Sequence, residues 1–293
     1  MKIFLLFGAN GFVGHNLFDY YHEKKDILLI APKRAECDVL KLSEVKAFIK
    51  KHQPDVVINA AYIGVDSTVK VTKKYLSDNT KIPLNILKAC KGIISVKRII
   101  FYGSGLEYGD SKIPILETHS LHPKNYYAET KAITSKASIA LAKELKLPLV
   151  LIRAFNIYGP YDSKGVIDYM IKSTLAKKTL ALTKGDQLRD FIYIGDLVNI
   201  TDKIINYNGT FAHGEIFNAG FGKGVLLKDI VSEICKQTQY TLPIAVKEYR
   251  PNEYFSQTAD IQKAKKLLDW QPETGIEEGI KKTITAVRLA IAS

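Results

Sequence analysis

The sequence predicts an α/β fold in which a doubly wound parallel sheet carries helices on both faces. Continuous apolar runs rich in Ile, Leu, Val and Phe alternate with helix-like stretches through the first half of the chain. Such runs suit strands covered on both faces, and the alternation of strand and helix is typical of right-handed crossovers. The predicted strands are residues 2–7, 26–30, 55–60, 98–103 and 147–154.

Helical periodicity marks two of the stretches between these strands, LSEVKAFIKKH at 42–52 and a longer segment at 75–92. Pro83 falls near the middle of the second segment, where we expect it to kink the helix or to mark an irregular start. Farther along, FIYIGDL at 191–197 and EIFNAG at 215–220 are predicted to be two further strands that rejoin the main sheet.

The composition is that of an ordinary globular protein, with 46% hydrophobic and 25% charged residues among 293. Cys37, Cys90 and Cys235 are scattered without metal-ligand spacing, which favours a reduced, cytoplasmic setting over a disulfide framework. The apolar run at the N-terminus is cut by Gly8, so it is too short for a signal peptide or a membrane span. We therefore expect no membrane association.

The formal net charge of +12 raises the question of a nucleic-acid partner. The lysines are spread along the chain in pairs, and no arginine-rich tract accompanies them. We therefore expect no nucleic-acid partner and interpret the charge as a solvated surface that favours small anionic ligands. His119 and His122 lie close together in the sequence, but without a carboxylate or cysteine cluster they do not predict a metal site.

A glycine-rich loop, FGANGFVG, directly follows the first strand and leads into the first helix. In this context Gly8 allows a tight turn, Gly11 lets a pyrophosphate approach the backbone, and Gly14 lets helix and strand pack closely. The helix N-terminus adds free N–H groups and the positive end of the helix dipole. The loop therefore predicts a Rossmann-type dinucleotide site, to which we also assign Asn10 and Phe12.

The pattern loosens after about residue 155, where glycine and proline break the chain into short elements. We therefore predict a dinucleotide-binding domain at 1–157, which the segment 187–220 rejoins. The segments 158–186 and 221–293 are predicted to form a smaller α/β C-terminal lobe that binds the substrate, with the site in the cleft between the two.

Three signals point to the same family: the G-x-x-G-x-x-G spacing of the loop, Tyr127 four residues before Lys131, and Ser104 after the fourth strand. Together they resemble the extended short-chain dehydrogenase/reductase family, many of whose members modify nucleotide sugars. Blocks such as INAA at 58–61 and RAFNIYGP at 153–160 extend the resemblance over nearly the whole chain.

The resemblance implies that Ser104, Tyr127 and Lys131 are catalytic. It also implies that Lys131 holds the nicotinamide ribose and that Ala60 and Ala61 contact the cofactor. The spacing itself has a physical use, because residues four apart share one face of a helix. We expect the ammonium of Lys131 to lower the phenol pKa of Tyr127 from its ordinary value of about 10, so that the tyrosine can act as acid or base.

The residues that follow Ser104 bear on the reaction. Nucleotide-sugar 4,6-dehydratases resemble one another in an Asp-Glu pair there, whereas this chain has Gly105 and Leu106, so we do not expect dehydration. GDP-fucose synthase carries an epimerising cysteine where this chain has Leu106. Two reactions stay open: reduction of a keto sugar, and 4-epimerisation by oxidation and re-reduction with bound NAD. Tyr126 is out of register with the lysine, and we assign it to packing or to the substrate side.

The end of the second strand bears on the cofactor. An acidic residue there would bind the adenosine ribose of NAD, but the chain reads ILLIAPKRAECDVL and has Lys33 and Arg34 instead. Two cations suit the extra phosphate of NADP, although a solvated basic loop is the alternative. The segment resembles that of NADPH-using deoxysugar reductases, which implies that Asp38 and Val39 flank the adenine.

The resemblance implies that Ser104 also hydrogen-bonds the substrate oxygen, and three further residues are candidates for binding the substrate. Arg189 and Arg250 resemble the arginines with which the family holds the diphosphate of a nucleotide sugar, and a guanidinium fits phosphate oxygens with two hydrogen bonds. Either arginine would alternatively be a partner in a surface salt bridge. By the same resemblance, Asn156 in RAFNIYGP places an amide donor near the diphosphate.

The sequence therefore predicts an NADPH-dependent reductase of a nucleotide-linked 4-keto-6-deoxy sugar, working in surface polysaccharide biosynthesis. The alternatives are an NAD-dependent nucleotide-sugar 4-epimerase and a catalytically silent NADP-binding regulatory protein. We also expect a homodimer, because family members commonly pair two helices across a two-fold axis. Here these would be the helix near 74–91 and the one carrying Tyr127, with Ile86, Ile133 and Ile139 buried in the contact.

Overall fold

The computed structural model describes residues 1–64, 72–241 and 243–292. The strands are β1 (Lys2–Phe7), β2 (Ile27–Ile30), β3 (Val56–Asn59), β4 (Arg98–Ser104), β5 (Leu149–Ala154), β6 (Asn156–Tyr158), β7 (Leu180–Leu182), β8 (Leu188–Tyr193), β9 (Glu215–Ala219), β10 (Gly224–Leu226), β11 (Ile244–Val246) and β12 (Ser256–Gln257). The helices are α1 (Phe12–His22), α2 (Leu42–His52), α3 (Lys73–Cys90), α4 (Tyr126–Glu144), α5 (Val166–Leu175), α6 (Ile194–Ile205), α7 (Leu227–Thr238), α8 (Gln262–Leu268) and α9 (Ile276–Ala292).

Six strands form a parallel sheet in the order β2-β1-β3-β4-β5-β9. The fold is α/β and Rossmann-like, as the alternating apolar runs predict. The chain crosses over in opposite directions from β1 to β2 and from β2 to β3, which leaves a crevice at the carboxyl ends of β1 and β3. This crevice is where ligands bind in folds of this kind.

Alternate side chains of each central strand face opposite helical layers. In β1, Phe4 and Leu6 join a core cluster with residues of α1, α6 and α8, whereas Leu5 and Phe7 join one with residues of α2, α3 and α4. All four side chains are almost fully buried. Because both faces of the strand are covered, its sequence is continuously apolar rather than alternating.

The segment at 191–197 differs from its prediction. Strand β8 ends at Tyr193 and pairs with β6, β10 and β12 in a second sheet, and helix α6 begins at the next residue. The apolar sequence continues from the strand into the helix without a polar break, because Ile194, Leu197 and Val198 lie on the buried face of this helix. The other predicted strand is confirmed, since β9 extends the main sheet beside β5. The division into two lobes stays a prediction.

Pro83 lies inside helix α3, so the expectation that it marks an irregular start is wrong, whereas the alternative of a kink stays a prediction. The helix begins ten residues earlier, where the side chain of Thr72 accepts a hydrogen bond from the backbone N–H of Tyr75 at 3.1 Å. Within the described part of the chain, no helix is both long and apolar enough to cross a membrane.

The predicted dimer contact needs one correction. Ile86 is fully buried in the core beneath α3, so it is not available to a partner. Ile133 on α4 is 40% exposed and Ile139 is half-buried. The dimer itself stays a prediction, and sedimentation at micromolar concentration is the measurement that tests it.

Candidate active site

A cavity of about 760 Å³ lies at the carboxyl edge of the main sheet. Its walls contain many of the residues that the sequence singles out. Those lining it are Gly11, Phe12, Ala60, Ala61, Ser104, Tyr127, Lys131, Asn156 and Arg250. The volume is in the range of small-molecule sites. The structure therefore brings the glycine loop, the Ser-Tyr-Lys set and two of the three substrate candidates to one place.

The glycine loop has the geometry of a cradle for a dinucleotide. Gly8 has a φ of +86°, and a Cβ there would lie 2.4 Å from the backbone nitrogen of Ala61. A Cβ on Gly14 would lie 2.0 Å from the carbonyl oxygen of Gly8. Gly11 is under no such constraint, since a Cβ there would meet only that same oxygen at 3.5 Å. Gly11 instead presents bare backbone to the cavity at the start of α1, where a phosphate is favoured.

Helix α4 sets the register of the Tyr-Lys pair. The side chain of Asn125 caps this helix by accepting a hydrogen bond from the backbone N–H of Ala128 at 2.9 Å. Tyr127 and Lys131, one turn apart, then both face the cavity. The phenol of Tyr127 lies near the side chain of Ser104 at the end of β4, and that hydroxyl lowers the phenol pKa. The ammonium of Lys131 donates to the carbonyl oxygen of Tyr102 at 3.0 Å.

The electrostatics of this pair differ from the prediction. Burial raises the pKa of the Tyr127 phenol, the charges of Glu107 and Tyr75 act in the same direction, and only the hydroxyl of Ser104 opposes them. Burial also lowers the pKa of Lys131 to about 8. The prediction of a lowered phenol pKa is therefore wrong for the protein without ligand. The free-energy cost of removing the phenolate from water exceeds the stabilisation that Ser104 provides.

A testable consequence concerns the reactivity of Lys131. Since burial disfavours its charged form, we expect trace labelling with acetic anhydride to reach half of its maximal rate at Lys131 near pH 8. An unburied lysine does so near about 10.4. Lys136 on the same helix is exposed and provides the internal reference in peptide mass spectrometry. Equal midpoints for the two lysines would contradict the buried environment described here.

Tyr126 does not have the role that the sequence suggested. It is 65% exposed as the first residue of α4 and is not among the residues that line the cavity. The packing assignment is therefore wrong. Tyr62 was missed, although it directly follows the Ala60-Ala61 pair after β3. Its ring lies 4.2 Å from the Nζ of Lys131 and packs edge to face against Tyr127, with 5.6 Å between ring centroids.

The loop after β2 carries its cations at the surface. Lys33 and Arg34 are exposed, and the guanidinium of Arg34 lies 3.4 Å from the carboxylate of Asp38. The backbone N–H of Lys33 donates to the side chain of Glu36 at 2.7 Å. Two acids, Glu36 and Asp38, thus stand beside these cations. Roles for Lys33, Arg34 and Asp38 in cofactor binding stay predictions, as do those of Val39 and Asn10.

The candidate substrate residues separate into two groups. Arg250 and Asn156 line the cavity, and the amide of Asn156 donates to the carbonyl oxygen of Asp190 at 3.0 Å. Arg189 is buried and pairs with Glu253 at 2.9 Å, outside the lining of the cavity. Its place in an internal ion pair with a residue 64 positions away depends on tertiary structure, which is why the sequence alone did not reveal it.

Two residues beneath Ser104 were also missed. Glu107 and Arg153 form a buried ion pair at 2.9 Å, with the carboxylate turned toward the end of β4. The spacing Ser104-x-x-Glu107 is that of a capping box and was a usable sequence signal. Among the described residues, no group of three or more His, Cys, Asp or Glu is placed to hold a metal ion.

Comparison with known proteins identifies the family. Residues 4–220 match the NAD dependent epimerase/dehydratase family. The chain is 29% identical over 259 residues to a UDP-glucuronate 4-epimerase of Thermodesulfobacterium geofontis, covering 85% of this chain and 77% of that one. It is 25% identical over 307 residues to a UDP-glucose 4-epimerase of Lactobacillus helveticus, covering 93% and 92%.

A solved structure agrees with this fold. The UDP-glucuronic acid 4-epimerase of Bacillus cereus, determined with UDP-glucuronic acid and NAD, superposes with a TM-score of 0.90 at 22% identity, over 99% of this chain and 100% of that one. The protein described here belongs to the NAD dependent epimerase/dehydratase family. The family resemblance predicted from the sequence is confirmed, whereas the narrower resemblance to GDP-fucose synthase is not.

Proposed function

We propose that this protein is a nucleotide-sugar 4-epimerase that uses a nicotinamide dinucleotide. One observation carries the proposal: Tyr127 stands with Ser104 and Lys131 at the cavity, where its phenol would transfer a proton. Epimerisation at C4 removes a hydride from the carbon and a proton from its hydroxyl, and it returns the hydride to the carbon and the proton to the oxygen, so one acid-base group is sufficient. The 4-epimerase relatives support the same choice.

The residues present fit a dinucleotide. The close approach of Gly14 to Gly8 and the bare backbone of Gly11 leave a cradle that a side chain would fill. Ala60 and Ala61 would complete this wall, and Lys131 would reach the nicotinamide ribose. When bound, the nicotinamide supplies the hydride acceptor and donor.

The protein's own side chains would manage the proton. Ser104 would hold the sugar oxygen at the reacting carbon, beside the phenol of Tyr127. Tyr127 would take the hydroxyl proton during oxidation. It would return the proton after the keto sugar has rotated to present its opposite face. Lys131, one helical turn away, would stabilise the phenolate, and Arg250 and Asn156 would bind the diphosphate end of the substrate.

The structure gives a physical reason to prefer this reaction over dehydration. A Cβ at Gly105 would lie 2.8 Å from the ring of Phe155, so the backbone next to Ser104 has no room for the acid that dehydratases carry there. Leu106 at the next position has no ionisable group. Elimination of water needs an additional acid and base, and neither position supplies one.

A second candidate is the NADPH-dependent 4-keto reductase, which one observation favours. Strand β2 ends at Ile30 and is followed by Ala31 and Pro32, so an acid that would bind the NAD ribose is missing there. Lys33 and Arg34 follow at the surface, where the extra phosphate of NADP would meet them. Tyr127 would then act as the acid in one direction only. A silent regulatory protein is the least favoured candidate, because Ser104, Tyr127 and Lys131 are assembled together.

The cofactor decides between these two candidates. If Lys33 and Arg34 bind the extra phosphate, replacing both with Ala should weaken NADPH binding by roughly tenfold to a thousandfold and leave NADH nearly unchanged, since each charged hydrogen bond contributes about 1.5–3 kcal/mol. The exchange Lys50→Ala with Lys51→Ala removes the same charge from exposed positions on α2 and serves as the control. Calorimetric titration gives both affinities. A wild-type protein that copurifies with NAD supports the epimerase.

A further inference from the structure

A buried carboxylate lies directly behind the Ser-Tyr-Lys set. Glu107 is fully buried, and its Oε1 accepts hydrogen bonds from the backbone N–H of Ser104 at 2.8 Å and from the hydroxyl of Ser135 at 3.0 Å. Its Oε2 accepts one from the Nε of Arg153 at 2.9 Å. The fold makes room for this group, because a Cβ on Gly103 would lie 2.6 Å from Oε1.

The carboxylate belongs to a chain of hydrogen bonds that continues away from the cavity. Arg153 is also buried, and its NH1 donates to the hydroxyl of Tyr108 at 2.9 Å. That hydroxyl donates to the side chain of Asn218 on β9, again at 2.9 Å. The network ties the turn after β4 to β5 and β9, so the backbone of Ser104 is held by three strands of the main sheet.

We propose that Glu107 is a positioning residue for the reaction of the preceding section: it fixes the backbone of Ser104 and places a negative charge behind the Tyr127–Lys131 pair. Taking an ion pair out of water is costly, and an apolar residue would pack here at no such cost. A capping box on a four-residue 3₁₀ turn needs only a hydrogen-bond acceptor. The charge itself is therefore what requires a function.

The charge acts on both members of the pair. Glu107 raises the pKa of Lys131 against the lowering effect of burial, and it raises the pKa of Tyr127. It thereby favours ammonium and phenol together, the protonation state from which Tyr127 would donate a proton to a keto oxygen. The ionisable or charged groups that face the pair and Glu107 are Tyr62, Tyr75, Tyr108 and Arg153.

Glu107→Gln separates the charge from the hydrogen bond, because Gln keeps an oxygen that accepts from Ser104. We expect the labelling midpoint of Lys131 to fall by about one pH unit, and the pH limb of kcat that reports Tyr127 to move down with it. Ser135→Ala is the matched control, because it removes one hydrogen bond to Oε1 of Glu107 but keeps the charge. The labelling midpoint of Lys131 and the pH limb of kcat should therefore both be unchanged.

Two results would overturn the proposal. The first is that Glu107→Gln lowers turnover but leaves the labelling midpoint of Lys131 unchanged. Glu107 would then serve only as a cap of the 3₁₀ turn. Alternatively, Ser135→Ala could shift the midpoint as far as Glu107→Gln does, which would assign the effect to rearrangement. If Glu107→Gln leaves Arg153 unpaired and does not fold, the double exchange Glu107→Gln with Arg153→Met removes both charges and should give a downward shift that is smaller, because loss of the Arg153 cation acts in the opposite direction. Labelling needs no substrate, so it stays informative even if the protein is not an epimerase.

Discussion

Tyr127→Phe is expected to lower turnover by about 10²-fold or more, because it removes the group that transfers the proton while leaving the ring in place. Binding of the dinucleotide should be unchanged, since the phenol contacts Ser104 rather than the glycine loop. Calorimetric titration with the cofactor and a turnover assay on one preparation give both quantities.

Tyr126→Phe is the matched control for this change. The neighbouring ring is 65% exposed and does not line the cavity, so removing its hydroxyl should alter turnover less than about twofold. Similar losses for the two variants would contradict the register that Asn125 imposes on α4.

The second large effect is expected at the glycine loop. Gly14→Ala should destabilise the fold by about 3 kcal/mol or more, because its Cβ would lie 2.0 Å from the carbonyl oxygen of Gly8 and only backbone movement would relieve the contact. Gly11→Ala should cost about 1 kcal/mol or less, since its Cβ meets nothing closer than 3.5 Å.

The effect of Gly11→Ala on cofactor affinity should be larger than its small effect on stability suggests. Gly11→Ala is expected to weaken dinucleotide binding in a folded protein, because its methyl group would occupy the surface that faces the cavity. Thermal unfolding with and without cofactor separates the two effects. A Gly11→Ala protein with normal affinity would show that the pyrophosphate does not bind at this loop.

The main sheet was predictable because strands covered on both faces have continuous apolar sequences, and five such runs are separated by helical stretches. The same signal misled at Ile194, where a strand passes into a buried helix without a polar break. Periodicity distinguishes the two only over a window longer than either element.

The site was predictable where function depends on local spacing. Tyr127 and Lys131 share a helix face because of their separation, and Gly8 and Gly14 are fixed by close backbone contacts. The ion pair of Arg189 with Glu253 was not predictable, because only the tertiary structure brings these two residues together. Glu107 was accessible from the sequence as a capping box, but its burial against Arg153 was not.

The most direct test of the central claim uses UDP-glucose and UDP-glucuronic acid that carry deuterium at C4, incubated with the purified protein and analysed by proton NMR. A 4-epimerase should interconvert the C4 epimers with the deuterium retained at C4 and no net consumption of cofactor. Tyr127→Phe should slow this interconversion by about 10²-fold or more. Loss of deuterium to solvent, or no epimer from either substrate while NADPH reduces a nucleotide-linked 4-keto sugar, would contradict the proposed 4-epimerase.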